Sequence, residues 1–509
     1  MATQHERQQQ QPLHILFLPF FAPGHLLPAA DVAAVFAARG ARCTILTTPV
    51  NAGIIRPAVD RANGANNLHG TGSGKIDIAL MPFPDVGLPP GVENYMALTT
   101  LQADCRAKFM RAVQLVQEPF HRFLAANRLD AVVSDSFFSW SADAAAEHGI
   151  PRLVITGTSV FARSCNESML RNYPLETTTT SEDDPEALLS LPGLPHLVQL
   201  RRSQMMDPRK QPGAWAFYQS NNAADQRSFG ELFNSFHELE PDYVEHFQTT
   251  LGRRAFLVGP VDLATRDMAA SGAKVSAEVN KDSCLRWLDT KPADSVVYFS
   301  FGTATRFLPA ELREISRGLD LSGKNFVWAI SAGESTESSE WMPEGFAELT
   351  ANVGNSCGCI IWGWAPQTLI LNHPALGRFM THCGWNSVLE AVSAGVPMAT
   401  WPRYADQFYN EKFVVEVLKV GISVGARDYA SAMENHEVIG GEVIAESIMA
   451  LMGNNEQGDA IRKKTNELGV KARSAVEKGG SSYSDVGRLM DELMAHRLCS
   501  VDFRAAGGV

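Results

Sequence analysis

Two α/β domains, each a doubly wound parallel sheet with helices packed on it, are what this sequence predicts. Three observations lead there. The chain has 509 residues, more than one hydrophobic core commonly covers, so two domains are expected. From Leu13 onward short β-rich runs alternate with longer helical patterns, the rhythm of parallel βαβ units. That rhythm is interrupted by VGPVDLATRDMAASGAKVSAEVNKDS, polar and full of small residues, and then begins again.

The elements follow in order. The Gln-rich start is expected to be disordered over residues 1–12. LHILFLPF reads as the first strand, and Pro28 to Ala38 as a helix with proline in its first turn. ARCTILTT is a second strand. DAVVSD, Asp130 to Asp135, is another, followed by a helix in SADAAAEHG and a strand in PRLVITG. From about 170 to 215 the chain is rich in Thr, Asp, Pro and Arg, which predicts an excursion over the surface. FNSFHELEPDYVEHF resumes regular structure. After the polar stretch, SVVYFSFG is a strand, ELREISRGLDLSG a helix closed by Gly323, and NFVWAI a strand. CGCIIWGW, GRFMTH and PMATWP are three more, each leading into a helix, and the tail from Asp459 is helical and charged. No solenoid repeat is present. The expected boundaries are 13–260 for the first domain, 261–285 for a linker, 286–485 for the second domain, and 486–509 for a C-terminal helix packing back on the first.

Composition narrows the function. With 45% hydrophobic and 20% charged residues the chain is ordinary globular material. A formal net charge of −12 argues against a nucleic-acid partner. The eight cysteines are scattered. Their closest pair, Cys357 and Cys359, is a C-x-C and lacks zinc or redox spacing, so reduced thiols of a cytoplasmic protein are expected. The sequon Asn166-Glu167-Ser168 is then without consequence. LHILFLPFFAPGHLLPAADVAAVFAA is broken by Pro19, Pro23, Gly24, His25 and Asp31, and HERQQQQP is not a compact basic leader, so no signal peptide is expected. No later run approaches the roughly 18 apolar residues of a membrane span. A soluble monomer is expected.

In open parallel sheets ligands lie beyond the carboxyl ends of the strands, where loops enter helices. Four such ends in the second half carry polar or stacking groups: Gly302-Thr303; Trp364-Ala365-Pro366-Gln367; His382 to Ser387 with Glu390; and Trp401-Pro402-Arg403-Tyr404-Ala405-Asp406-Gln407. At the third, Ser387 and Glu390 match an S-x-x-E capping box, and capping alone would explain them. The whole set suits a nucleotide sugar. An indole face can stack on a base, Gln or Glu can bond ribose hydroxyls, and backbone N–H groups with Ser, Asn, Thr and His can hold a diphosphate. A carboxylate beside an amide suits vicinal sugar hydroxyls. The G-x-G-x-x-G and G-x-x-x-x-G-K-[ST] patterns are absent, which counts against NAD and ATP.

Residues 364–407, WAPQTLILNHPALGRFMTHCGWNSVLEAVSAGVPMATWPRYADQ, resemble the signature box of plant family 1 UDP-dependent glycosyltransferases, complete and in register. FAPGHLLP, FPDVGLPPGVEN, SDSFFSW, FNSFHELEPDY, VVYFSFGT, FVWAI, WMPEGF and GGSSY are similar to the same family, so the resemblance covers nearly the whole chain. It implies a GT-B fold: two Rossmann-like domains with parallel sheets facing across a cleft, the N-terminal one binding acceptor and the C-terminal one binding UDP-sugar. It also implies that Trp364 stacks on uracil, that Ala365 pairs with it through its backbone, and that Gln367 and Glu390 bind ribose. Thr303, His382, Asn386 and Ser387 would hold the diphosphate; Trp385, Asp406 and Gln407 would contact the sugar. A terminal Gln407 with Trp385 inside the box resembles the glucose-using members, so UDP-glucose is the expected donor.

Transfer to an alcohol or phenol needs a base. His25 lies between a strand and a helix start, whose dipole disfavours imidazolium and keeps a neutral base. An isolated His is more often structural; the resemblance identifies this one as the catalytic base. Asp135 resembles the family's partner aspartate, which would accept the ring's other N–H and fix its tautomer. The competing reading is that Asp135 only caps the SFFSW segment. The implied reaction inverts α-linked UDP-glucose to a β-glucoside. No Asp-x-Asp occurs, so neither a metal nor a cofactor is expected, and the helix start at Asn386-Ser387, with His382 and Thr303, would carry the leaving charge.

Candidates for an apolar acceptor pocket are Phe21, Phe137, Phe138, Trp140, Phe161 and Trp215, with Tyr404 and Ala405 from the second domain. Such a pocket suits a small lipophilic aglycone with a hydroxyl, of flavonoid, other phenolic, terpenoid or steroid type. Three readings stay open. The first is a UDP-glucose:small-molecule glucosyltransferase. The second keeps the donor site but changes the reaction, to an epimerase or hydrolase, or the sugar, to UDP-galactose or UDP-xylose. The third is a non-catalytic UDP-sugar-binding protein, against which His25 with Asp135 argues.

Overall fold

The computed structural model describes residues 11–68, 74–102, 104–173, 175, 184–270, 279–330, 341–343, 345–346, 356–429, 437–453 and 455–506. The disorder expected at the start therefore falls mostly outside the described residues. Contacts divide the chain into two compact units. Described residues up to Val160, of Gly213–Ala273 and from Ser474 on form one; those of Phe161–Pro212 and Lys274–Arg473 form the other.

The first unit is built on β1 (His14–Leu18), β2 (Arg42–Thr47), β3 (Ile76–Leu80), β4 (Ala131–Asp135), β5 (Arg152–Ile155), β8 (Gly230–Phe233) and β9 (Ala255–Leu257). The order is β3-β2-β1-β4-β5-β8-β9, with every pairing parallel. Both faces are covered, which is why β1 and β4 read as unbroken apolar runs. Side chains alternate along β1: Ile15 and Phe17 join the core that includes Leu26, Val32 and Phe36, while Leu16 and Leu18 join a second layer with Phe21, Phe109 and Phe138. The order turns back on itself between β1 and β4. Loops leaving these two neighbours diverge, and the crevice between them is where such sheets place a ligand.

The helix after β1 runs Pro23–Ala38, so its start is Pro23 and not Pro28. Proline is well placed at either position by its fixed φ; here Pro23 takes the first helical position, which brings His25 into the first turn. Pro28 lies inside the helix.

The second unit holds β10 (Val296–Ser300), β11 (Asn325–Ile330), β12 (Gly358–Trp362), β13 (Leu376–Thr381), β14 (Met398–Thr400) and β15 (Gly421–Ser423). Its order is β12-β11-β10-β13-β14-β15, again parallel, with the reversal between β10 and β13. The helix Pro309–Ser322 ends at Gly323, whose φ of +59° is the left-handed cap expected from sequence.

Three boundaries differ from the sequence reading. The proposed linker 261–285 is helical at both described ends, Val261–Ala270 and Val279–Asp289, and Val261 is buried in the first unit's core. Residues 161–212 group with the second unit: Phe161 stacks on Phe413 at 4.8 Å and the Tyr409 hydroxyl meets Met169 Sδ at 3.1 Å. The expected surface excursion contains an antiparallel pair, β6 (Leu188–Leu191) and β7 (Val198–Arg201). Finally, the last helix begins at Ser481. It buries Val486, Leu489 and Leu493 in the first unit's core, and Arg497 reaches Asp130 at 3.3 Å. Among the described residues no helix is long and apolar enough to cross a membrane. All eight cysteines are free, five of them buried.

Candidate active site

At the reversal of the first sheet, the helix after β1 supplies His25 and the end of β4 supplies Asp135. His25 Nδ1 lies 2.7 Å from Asp135 Oδ2. Asp135 is buried, while the imidazole keeps 23% of its surface exposed. The other oxygen, Oδ1, accepts the Phe137 N–H at 3.0 Å. The carboxylate thus does both things the sequence left open: it caps the following turn and it holds the histidine.

The rings around His25 are only partly those expected. Phe137 stands beside it at 5.4 Å between centroids, and Phe20 lies at the same distance edge-on. Phe217, on the helix Pro212–Asp225, meets Phe137 at 5.2 Å, with Tyr218 beside it. Phe21 and Phe138 have no exposed surface and Trp140 very little; they are core, because the turn after β1 and β4 packs them inward on the second layer. Phe161 is likewise sealed, against Phe413 of the second unit, with which it groups. Of the remaining candidates, Trp215 and Tyr404 are half-buried and Ala405 is exposed at φ +56°. Phe20, though it touches His25, is core as well, and Phe217 and Tyr218 were missed; their hint was the aromatic run WAFY.

In the second unit the reversal places the ends of β10 and β13 side by side, with Ser300 opposite Thr381. Their next residues interlock. A Cβ on Gly302 would sit 2.6 Å from His382 Nε2, and one on Gly384 would sit 2.5 Å from the same atom, so the imidazole fills a slot between two glycines. Burial lowers His382 to about 4, which leaves the ring neutral at pH 7. Its Nδ1 is buried with no hydrogen-bond partner among the described residues.

The helix that follows, Trp385–Ala394, has Gly384 as its N-cap and no side-chain cap. The capping box read from Ser387 and Glu390 is therefore wrong. Cys383 turns the chain at φ +64°, the helix begins at Trp385, and Ser387 already lies inside it. Both side chains face Gln367 instead. Gln367 Nε2 donates to Ser387 Oγ at 3.0 Å and to Glu390 Oε2 at 2.9 Å. Trp364, just before, is 56% exposed, an unusual state for an indole and one that suits stacking. Ala365 is half-buried, Asn386 half-buried in the first helical turn, and Thr303 exposed after β10. Trp385 is 2% exposed with its ring toward Phe413, so its indole is packed inward and its backbone, at the first helical position, is the part nearest the helix start.

After β14 the loop folds onto Gln407. Gln407 Oε1 accepts the N–H groups of Arg403 at 2.9 Å and Tyr404 at 3.1 Å, leaving the amide N–H₂ as the group to offer. Asn410, missed in the sequence, donates to Asp406 Oδ2 at 3.0 Å and to the Cys383 carbonyl at 2.9 Å, which ties this loop to the His382 turn. Beneath it, Glu411 Oε2 accepts from Thr400 Oγ1 at 2.6 Å and Ser423 Oγ at 3.0 Å. Burial pushes Glu411 up to about 7. Between its ordinary value and 7 the folded state binds more protons than the unfolded one, so stability falls as pH rises through that window. Glu411→Gln keeps an acceptor for both hydroxyls and removes the charge. The expected outcome is a melting temperature less dependent on pH between 5 and 8, with a gain at pH 8 on the order of 1–3 kcal/mol; an unchanged slope would count against it.

Comparison with known proteins decides what this site belongs to. Residues 220–454 match the family model described as UDP-glucoronosyl and UDP-glucosyl transferase. A UDP-glucose flavonoid 3-O-glucosyltransferase 7 of Fragaria ananassa is 40% identical over 498 residues, 96% of this chain and 97% of the relative. The scopoletin glucosyltransferase of Nicotiana tabacum is 40% identical, over 95% of this chain and 98% of its own. The chain is a UDP-glycosyltransferase. Its structure is similar to that of Glycyrrhiza uralensis UGT73P12 complexed with glycyrrhetinic acid 3-O-monoglucuronide, with TM-score 0.88, 36% identity, and 97% and 98% of the two chains covered. Medicago truncatula UGT71G1 complexed with UDP-glucose gives TM-score 0.75 at 26% identity, covering 95% and 98%. Two parallel-sheet units of this kind are the GT-B fold of plant glycosyltransferases. For this glycosyltransferase the epimerase, hydrolase and purely binding readings fall away.

Proposed function

We propose that this glycosyltransferase moves glucose from UDP-glucose to a hydroxyl of a small lipophilic plant metabolite, giving a β-O-glucoside with inversion. The observation that carries the mechanism is the 2.7 Å contact between His25 Nδ1 and Asp135 Oδ2. An ionised carboxylate only accepts, so the ring proton sits on Nδ1 and Nε2 keeps its lone pair for the acceptor's O–H. As the acceptor oxygen bonds to the anomeric carbon, its proton passes to Nε2. The bond to the diphosphate oxygen breaks on the opposite face, and its electron pair leaves with UDP. Asp135 stabilises the imidazolium that results.

The donor's parts fit the second unit. Trp364 stacks on uracil, Ala365 pairs with it, and Gln367 with Glu390 binds ribose. The N-terminal turn of Trp385–Ala394, with Ser387, Asn386, Thr303 and a neutral His382, holds the diphosphate and takes up its growing charge. Asp406 and the Gln407 amide meet glucose. That donor set needs no metal, and the enzyme works as a cytoplasmic monomer. UDP-glucose is supported by the Fragaria ananassa relative's name and by the UGT71G1 complex. The ring wall of Phe137, Phe217 and Tyr218 near His25 suits a flat aromatic acceptor.

The test is a panel of acceptors with UDP-glucose: a flavonol, a coumarin, a terpenoid alcohol and a triterpenoid monoglycoside, read by a mass gain of one hexose and by the anomeric coupling of the product. A β-linked hexose on at least one, at a rate untouched by excess EDTA, is expected. UDP release at full rate without acceptor, or an α-linked product, would overturn the reading; a strict metal requirement would overturn its metal-free part.

A further inference from the structure

The second unit contains a buried ion pair that the reaction scheme does not use. Arg403 lies in the loop after β14 and Glu311 in the first turn of the helix Pro309–Ser322, and their side chains are 3% and 1% exposed. Arg403 Nη1 donates to Glu311 Oε1 at 2.5 Å, and Nη2 approaches Oε2 at 3.5 Å. Nη2 also donates to the Arg306 carbonyl at 3.3 Å, and the guanidinium lies 4.6 Å above the Phe307 ring. Glu311 Oε2 accepts the Leu308 N–H at 2.9 Å as well. One side chain thus joins the loop after β14 to the segment after β10 that contains Thr303.

The backbone of Arg403 is itself part of the donor site. Its N–H, with that of Tyr404, holds Gln407 Oε1, and Ala405 makes the turn between them at φ +56°. These two N–H groups settle which end of the carboxamide points inward. A shift of the Arg403 peptide would therefore rotate or release the Gln407 amide.

Stability alone does not account for the pair. Removing two charges from water costs about as much as their attraction returns, and apolar residues of similar volume often hold a fold equally well. What they lack is direction. A planar fork fixed on a carboxylate, a carbonyl and a ring has one seat, and its own peptide is fixed with it.

We propose that Arg403 and Glu311 are positioning residues that fix the Gln407 amide against the donor's sugar and so set which sugar is transferred. The inference rests on the reading of Gln407 as a sugar contact. Substituting one partner would strand a buried charge and damage folding, so the test uses the double variant Arg403→Met with Glu311→Leu, beside Gln407→Leu in the otherwise intact enzyme. Each is measured for melting temperature, inhibition by UDP, kcat and KM with UDP-glucose, and the same constants with UDP-galactose.

The double variant is expected to stay folded, melting no more than a few degrees below the parent because the Leu308 N–H and the Arg306 carbonyl lose their partners. It should bind UDP as before, because Trp364, Gln367 and Glu390 are untouched. Its kcat with UDP-glucose should fall on the order of 10²-fold, the effect of a small misplacement of a reacting group, and its preference between the two sugars should collapse. Gln407→Leu should lose the same preference. A double variant with parental rate and preference would overturn the proposal while Gln407→Leu still upheld the donor reading. A silent Gln407→Leu would overturn both, and a double variant that loses UDP affinity along with rate would reduce the pair to a structural tie.

Discussion

Replacing Asp135 by Asn is expected to cost transfer as much as removing the imidazole itself, a fall in kcat on the order of 10³–10⁴-fold. The geometry dictates why. Oδ1 of Asp135 accepts the Phe137 N–H, so in an asparagine the carbonyl oxygen must occupy that position. The N–H₂ group then falls where Oδ2 was, 2.7 Å from His25 Nδ1. It can only donate, which forces Nδ1 to be the acceptor and puts the ring proton on Nε2. The histidine remains in place with its lone pair turned away from the substrate. His25→Ala should show a loss of similar size, and the double variant little more than either, since two members of one unit do not add. Donor affinity should hold in all three, because the residues proposed for UDP belong to the other unit. The measurement is acceptor-dependent UDP release at saturating UDP-glucose, with UDP binding by calorimetry. Full activity in Asp135→Asn would reduce Asp135 to the cap of its turn.

What could be read from sequence follows from the range over which each feature is determined. β1, β4, β10 and β13 were legible because a strand buried on both faces is a short unbroken apolar run, and that pattern is local. The chain rhythm implied parallel sheets and put His25, Asp135, Thr303 and His382 just beyond strand ends; that those ends meet at the two reversals depends on strand order, which only the fold shows. The helix start at Pro28 failed because Pro23 offers the same local signal one turn earlier. Ser387 and Glu390 imitated a capping box because the pattern is blind to the left-handed turn at Cys383, which shifts the helix start. Phe137 stays partly exposed beside His25 while Phe138 belongs to the core, and Phe20 and Phe21 are both buried though only Phe20 touches the imidazole. Neighbouring phenylalanines differ only in which way the backbone turns them, and composition does not record that. The Arg403–Glu311 pair joins positions far apart in the chain and has no local pattern at all.

Gly302→Ala should abolish tight binding of UDP, with a loss of at least about 10–100-fold in affinity, the worth of one to three kcal/mol of hydrogen bonding to a charged group. Two separate faults meet at this position. The backbone sits at φ +75°, where a side chain costs about 1–3 kcal/mol. The new methyl would also stand 2.6 Å from His382 Nε2 and 2.7 Å from Cε1, with no room to yield, because Gly384 closes the ring's other side. The imidazole must move, and with it the neutral donor proposed to face the diphosphate. Gly323→Ala separates the two faults. Gly323 is also left-handed, at φ +59°, but a methyl there meets nothing within 4 Å. That variant should lose about 1 kcal/mol of stability and bind UDP as the parent does. If Gly302→Ala loses no more stability than Gly323→Ala and still binds UDP fully, His382 has no part in holding the donor. A loss confined to Gly302→Ala, and matched by His382→Ala without the fall in melting temperature, would show that the slot between the glycines exists to aim that ring.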